Sequence, residues 1–307
     1  MKFWQTAIFL AALATLGLPG NLPAQTLLRW KLQPGEAFGV DVQQHTTSTV
    51  AFSGKTSQSE IDLGMELGWT VKGADDKGFD IEQVVRRVQF KLQAPGADAV
   101  AYDSAARSRP AGLSREIARA VEPLLGAQVS LRMTARGEIV SAKPANEAAE
   151  KLFAKDAPGD EPGVFSRGAL QKLLGQSPIV LPEKEVQTGD TWTATEELDS
   201  AVWQFGQVTT YRLAEPVEQD GRPLQMIEAT GKLVPAAKET AAANIRTRDG
   251  KLVVKAHEQS GTIRFDAAAG RLVESEAKQS LTTERPYRET TIVVTLASTQ
   301  TTTLLPN

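Results

Sequence analysis

From Ile61 to Lys72 the side chains alternate without a break. Ile61, Leu63, Met65, Leu67, Trp69 and Val71 are apolar, and Asp62, Gly64, Glu66, Gly68, Thr70 and Lys72 lie between them. A strand sends successive side chains to opposite faces, so this pattern buries one face and wets the other. A helix of period 3.6 would scatter the same residues around its axis. The segment therefore predicts a long strand of an antiparallel sheet.

The flanking sequence repeats the pattern. Phe38 to Phe52 is rich in Val and Thr, and Ser53-Gly54-Lys55 supplies a hairpin turn. Asp75-Asp76-Lys77-Gly78 turns the chain into Phe79 to Leu92, where Val84-Val85 breaks the alternation and predicts a bulge. Gln128 to Thr134 and Glu138 to Lys143 form a hairpin around Arg136-Gly137. Later strands are expected over Thr191 to Leu198, Phe205 to Ala214, Pro223 to Val234, Lys251 to Phe265, Arg271 to Thr283 and Thr290 to Thr303.

Three short helices interrupt this order. Ser114 caps the first, with Leu113, Ile117, Val121 and Leu124 on one stripe, and Pro123 and Gly126 close it. Asn146 caps the second, which runs to Phe153. Ser166 caps the third, Arg167 to Leu174. The fold class expected is mainly β (α+β): long antiparallel strands in a curved sheet or half-barrel, in two repeated halves, with about three helices mid-chain. The repeat pairs Leu28 to Val42 with Leu181 to Leu198, each placing a glycine and an acid before a strand (Gly35-Glu36 and Gly189-Asp190). The expected organisation is residues 25–144 and 178–307 as β-rich halves joined by a helical connector, 145–177.

Lys2, the apolar run Ala7 to Leu18, the break at Pro19-Gly20 and the small residue Ala24 follow the order of a secretory signal peptide. The apolar run is well short of the roughly 20 residues that span a bilayer. Cleavage between Ala24 and Gln25 and a periplasmic or secreted location are expected, with no transmembrane segment in the mature chain.

The chain has no cysteine, which removes disulfides, thiolate metal sites and thiol nucleophiles. Lys and Arg number 34 against 37 Asp and Glu, for a net charge of −3, and the two signs are mixed, so no basic surface is offered to nucleic acid. Of the two histidines, His257-Glu258 opens like a zinc-protease helix, but Gly261 stands where the second His must be. His45 lies in a polar strand, and both histidines read as exposed strand residues. Gly54-Lys55-Thr56 lacks the earlier glycine of a phosphate loop, Thr49 standing there. Ser275 and Lys278 match S-x-x-K by letter, but three apart on a strand they face opposite ways. Asp156, Asp160 and Glu161 read as a solvated acidic loop. No catalytic residue, metal site or cofactor is expected, and the chain reads as no enzyme. A hydrolase using carboxylates alone stays open, because two facing acids leave no sequence signature.

The segments LRWKLQPGE at Leu28 to Glu36 and LPEKEVQTGDTW at Leu181 to Trp192, behind a signal peptide, resemble an uncharacterised family of exported bacterial proteins. That resemblance implies no activity and no catalytic residues. More loosely, long antiparallel strands with helices inserted mid-chain are similar to the lipoprotein- and lipid-carrier half-barrels of bacterial envelopes. Two roles follow. The first is non-catalytic binding of a lipid or other apolar ligand, with Leu63, Met65, Leu67 and Trp69 as the contact stripe and the helices as a lid. The second is a structural or interaction module with an envelope protein as partner.

Overall fold

The computed structural model of this protein describes residues 25–107, 109–153, 174, 179–199, 204–235 and 252–305. The signal segment with its cleavage at Ala24, the acidic loop with Asp156, Asp160 and Glu161, and all of the third expected helix but Leu174 lie outside these residues.

Thirteen strands of one antiparallel sheet account for most of the described chain. They are β1 (Ala37–Phe52), β2 (Lys55–Asp75), β3 (Gly78–Gln93), β4 (Val100–Asp103), β5 (Gln128–Met133), β6 (Ile139–Pro144), β7 (Thr191–Asp199), β8 (Gln204–Leu213), β9 (Val217–Gln219), β10 (Arg222–Pro235), β11 (Val253–Asp266), β12 (Arg271–Tyr287) and β13 (Thr290–Leu305). The spatial order is β6-β5-β3-β2-β1-β13-β12-β11-β10-β8-β7, with β4 beside β3 and β9 beside β10. Consecutive strands are mostly neighbours, as hairpin connections require. The consecutive strands β6 and β7 instead form the two edges of the ladder, and at its middle the first long strand pairs with the last over Gly39↔Leu305 to Ala51↔Val293. Segments 25–144 and 178–307 thus contribute to a single sheet.

The bulge expected at Val84-Val85 falls next to it. Glu66 pairs with Arg87 and Leu67 with Val85, so Arg86 is the extra residue. Arg87 then lies on the polar face, where it bonds Asp103 Oδ2 at 2.6 Å and Glu66 Oε1 at 2.9 Å and ties the short β4 to β3.

Two helices are described, α1 (Leu113–Val121, continued by one 3₁₀ turn at Glu122–Leu124) and α2 (Glu147–Phe153). Asn146 caps α2 as expected: its Oδ1 accepts from the Ala149 N–H at 3.0 Å. The Ser114 cap is corrected. Gly112 occupies the cap position with φ 56°, with no side-chain cap bond, and Ser114 lies inside the first turn. Ile117, Val121 and Leu124 are buried, while Leu113 is exposed.

Two irregular stretches close one rim of the sheet. Residues 25–33 and 179–190 meet at a Thr26↔Val186 bridge. Backbone bonds fasten them to distant turns: Trp30 N to Ala135 O, Lys31 N to Gly270 O and Leu181 N to Arg136 O, each at 2.8 Å. Arg29 Nη1 reaches Pro182 O at 2.6 Å, and Lys31 Nζ reaches Ala267 O at 2.8 Å. Leu28, Trp30, Leu32, Ile179 and Leu181 are buried here, and Trp30 meets Phe265 edge-on at 5.9 Å. These stretches form a floor whose backbone groups are satisfied by turns distant in the sequence.

The two Gly-acid turns that open β1 and β7 are built alike. Gly35 has φ 85° and Gly189 φ 94°, conformations that favour glycine. Gly35 N bonds Val71 O and Val71 N bonds Glu36 O, while Gly189 N bonds Leu213 O and Leu213 N bonds Asp190 O. The acid accepts from the backbone N–H three residues earlier in both, Gln33 to Glu36 and Gln187 to Asp190.

Candidate functional site

Above the floor lies a hollow of about 520 Å³. Its lining draws on both flanks of the sheet: Phe38, Val40, Leu67 and Trp69 from β1 and β2, and Tyr211, Ala229, Gly261 and Ala277 from β8, β10, β11 and β12. Successive rungs of the ladder explain why it is hollow. One step above Phe265, which rests on the floor, the rung Leu213-Ile227-Ile263 is buried and aliphatic. The next runs Tyr211-Ala229-Gly261-Ala277-Gln300 across five strands. Three adjacent small residues leave unfilled the space that Leu or Ile would take. At Gly261 even a Cβ would come 2.6 Å from Glu276 O, so this position excludes a side chain altogether.

The third rung is polar: Thr209-Gly231-Gln259-Gln279. Gln207 Nε2 donates to Gln259 Oε1 at 2.8 Å. The Gln259 side chain lies over Gly231, where an added Cβ would come within 2.1 Å of its Oε1. The hollow therefore has an aromatic and aliphatic floor, a waist of small residues and a belt of amides.

Aromatic side chains are fixed around it by hydrogen bonds. Trp69 Nε1 donates to Gln83 Oε1 at 2.8 Å, and Gln83 Nε2 donates to Leu174 O at 2.9 Å. Trp192 Nε1 donates to Val180 O at 2.8 Å, and its ring stacks on Tyr211 at 5.5 Å. Burial pushes the Tyr211 phenol above its ordinary pKa, against a lowering by its backbone hydrogen bond at Val180.

The charged groups at the hollow are mostly acidic. Glu138, Glu183, Glu196 and Glu276 line it, and the one cation among the described lining residues is Arg136. Arg136 is committed: its Nε donates to Leu181 O at 2.8 Å, and its Nη1 lies 3.3 Å from both Glu138 Oε1 and Glu183 Oε1.

Of the four residues expected as a contact stripe, Leu67 and Trp69 line the hollow, whereas Leu63 and Met65 are buried in the apolar core away from it. No residue of α1 or α2 lines the hollow; α1 packs beside β4 and α2 beside β5 and β6. Trp30, Phe38, Val40, Tyr211 and the small and amide rungs were not signalled by the stripe. The aromatic ones stand in apolar positions of expected strands, but the small ones acquire meaning only through register.

The remaining motifs fall as follows. His45 is exposed on the opposite face, its Nδ1 2.6 Å from Asp62 Oδ1. His257 is corrected: it is half-buried on the cavity face, its Nε2 3.1 Å from Gln279 Nε2, and burial lowers its pKa. Gly54 sits in the β1–β2 turn. Ser275 lines the hollow, while Lys278 is exposed and pairs with Glu276 at 2.7 Å. Among the described residues no group of three or more His, Asp or Glu could hold a metal ion, and no helix is long and apolar enough to cross a membrane.

Residues 76–272, more than half of the chain, match the family DUF6263. The chain belongs to this family of unknown function. Membership agrees with the resemblance to an uncharacterised family and supplies no site residues. No curated protein matches the chain. Among solved structures it is similar to a chain described under lipid–protein interactions in lipovitellin, at 13% identity and TM-score 0.49, covering 90% of this chain and 26% of that one. It thus spans about a quarter of that chain's length. An outer membrane channel from Pseudomonas putida F1 overlaps at 11% identity and TM-score 0.26, covering 94% and 99%. A DUF1329 family protein from Desulfovibrio piger overlaps at 11% identity and TM-score 0.12, covering 83% of each chain. At these TM-scores the overlap fixes neither fold nor ligand.

Proposed function

We propose that this protein is an exported, non-catalytic binding protein that holds a lipid or other apolar ligand in the hollow between Trp69 and Ala277. The observation that carries the reading is the row Ala229-Gly261-Ala277, three small residues side by side where core residues would otherwise close the sheet. A volume of about 520 Å³ lies within the range of small-molecule sites, and a wall that joins aromatic and aliphatic side chains to amides and hydroxyls suits a ligand with an apolar body and a polar end.

The reading also needs a sheet that bends. Lining residues from strands as far apart in the ladder as β2 and β8 support a curved, half-barrel arrangement. The matching turns at Gly35 and Gly189 support a duplicated origin of the two halves. Export rests on the signal-like order of residues 1–24.

The test is extraction of the purified protein with organic solvent, followed by mass spectrometry, beside an Ala277→Leu variant. An apolar compound recovered from the parent and reduced at least tenfold in the variant is expected. No such compound, together with no uptake of added acyl chains, would overturn the reading.

A second reading, an interaction module of the envelope, is favoured by the exposed aromatic pair at two hairpin tips. Phe52 and Tyr287 meet edge-on at 5.7 Å and are both exposed, with Arg288 over the Tyr287 ring. Recovery of a stoichiometric protein partner, lost in a Phe52→Ser, Tyr287→Ser variant, would favour it.

A further inference from the structure

We infer that the ligand of this hollow is an amphiphile with an uncharged, hydrogen-bonding head group, and that anionic amphiphiles are excluded. The inference rests on the binding reading above and names its ligand class. It comes from the order of chemistry along the cavity wall. An acyl chain would lie against the floor and waist, on Trp30, Phe38, Leu67 and Trp69. The polar end of a chain so placed reaches the amide belt. Gln207 and Gln259 share one bond there. That leaves the Gln207 carbonyl oxygen, the Gln259 amide N–H groups and the whole Gln300 amide without a partner among the described residues. Each is half-buried and lines the hollow.

Primary amides offer donors and acceptors together and no charge, which complements a hydroxyl, ester or amide. A bound chain would cut these half-buried amides off from water, so a ligand that satisfies both kinds of site is selected over one that satisfies neither.

Charge decides against an anionic head. Glu196 stands beside the belt, paired in register with Gln207. Arg136 is bonded to Leu181 O and flanked by two glutamates, so no lining cation is left to meet a carboxylate or phosphate. A carboxylate placed here would lose its hydration and meet like charge.

Three probes that share a ten-carbon tail separate the possibilities: 1-monocaprin, decanoate and decyltrimethylammonium. Each is titrated below its critical micelle concentration against the purified protein at pH 7, by calorimetry and tryptophan fluorescence. The expected result is that 1-monocaprin binds at least tenfold more tightly than decanoate and more tightly than the cation. Glu196→Gln should narrow the gap to decanoate, and Gln259→Leu should weaken 1-monocaprin at least fivefold. Glu196 is exposed on an edge strand, so its variant keeps the test informative if Gln259→Leu fails to fold. Equal binding of all three would overturn the head-group inference and leave the apolar hollow standing. Tightest binding of decanoate or of the cation would overturn it as well. Binding of none would overturn the binding reading on which it depends.

Discussion

The indole Nε1 of Trp69 donates to Oε1 of Gln83, a side chain only 2% exposed, at 2.8 Å. Gln83 in turn donates to the backbone carbonyl of Leu174, 91 residues away. One amide thus holds both the aromatic wall of the hollow and the backbone at Leu174. Gln83→Leu keeps the volume but strands the indole N–H and the Leu174 carbonyl in a buried site. A loss of about 1–3 kcal/mol is expected, read as a lower denaturation midpoint at unchanged m-value. An unchanged midpoint would mean that another group takes the place of the amide.

Filling the waist should separate binding from stability. Ala277→Leu puts a larger side chain into space that is already empty, so the fold is expected to stay within about 1 kcal/mol of the parent or gain stability. Binding of a ten-carbon amphiphile should fall at least tenfold. Ala297→Leu, an exposed position paired with Ser280 on the other face of the same sheet, is the control and should bind like the parent. Equal binding by all three proteins would place the ligand elsewhere.

Much of this architecture is legible in the sequence. The alternation at Leu63, Met65, Leu67, Trp69 and Val71 gives the buried face of β2, and Ser53-Gly54 and Asp75 to Gly78 give its ends. Such signals are local: they depend on period and turn chemistry within a dozen residues. The floor is not legible in the same way. Leu28, Trp30 and Leu32 alternate like a strand, yet their backbone partners lie in the turns at Ala135 and Gly270, chosen by the tertiary fold. Nor is the waist. Ala229, Gly261 and Ala277 read singly as weak strand formers, and only the register of β10, β11 and β12 sets them side by side. Leu63 and Met65 show the converse, since a stripe that marks a buried face cannot tell which of its members meet a cavity and which are packed over.

The Arg87–Asp103 pair gives a pH dependence with a definite sign. Its hydrogen bonds from Arg87 hold the Asp103 carboxyl at about 2, well below the usual range. A carboxyl whose pKa is depressed by folding stabilises the folded state fully above its unfolded pKa, about 3.9, and loses that contribution as pH falls through the folded value. Stability of the parent should therefore drop between about pH 4 and pH 2, and Asp103→Asn should flatten that part of the acid-unfolding curve. Curves that stay parallel across this window would show that the pair is too well hydrated to matter.

Two glycines in hairpin turns make a final contrast. Gly137 has φ +94°, and an added Cβ would come 2.3 Å from Ile179 O and 2.6 Å from Trp30 Nε1. Gly54 has φ +74°, with nothing within 4 Å of that position. Alanine at either site meets the backbone strain of the left-handed region, about 1 kcal/mol or somewhat more. Only at Gly137 does it also drive apart the floor and the β5–β6 turn. Gly137→Ala is expected to destabilise by more than about 2 kcal/mol and to shift the emission of Trp30, whereas Gly54→Ala should lower stability by about 1 kcal/mol with unchanged fluorescence. Equal effects of the two substitutions would mean that the floor does not press on this turn, and the closed end of the hollow would have to be placed elsewhere.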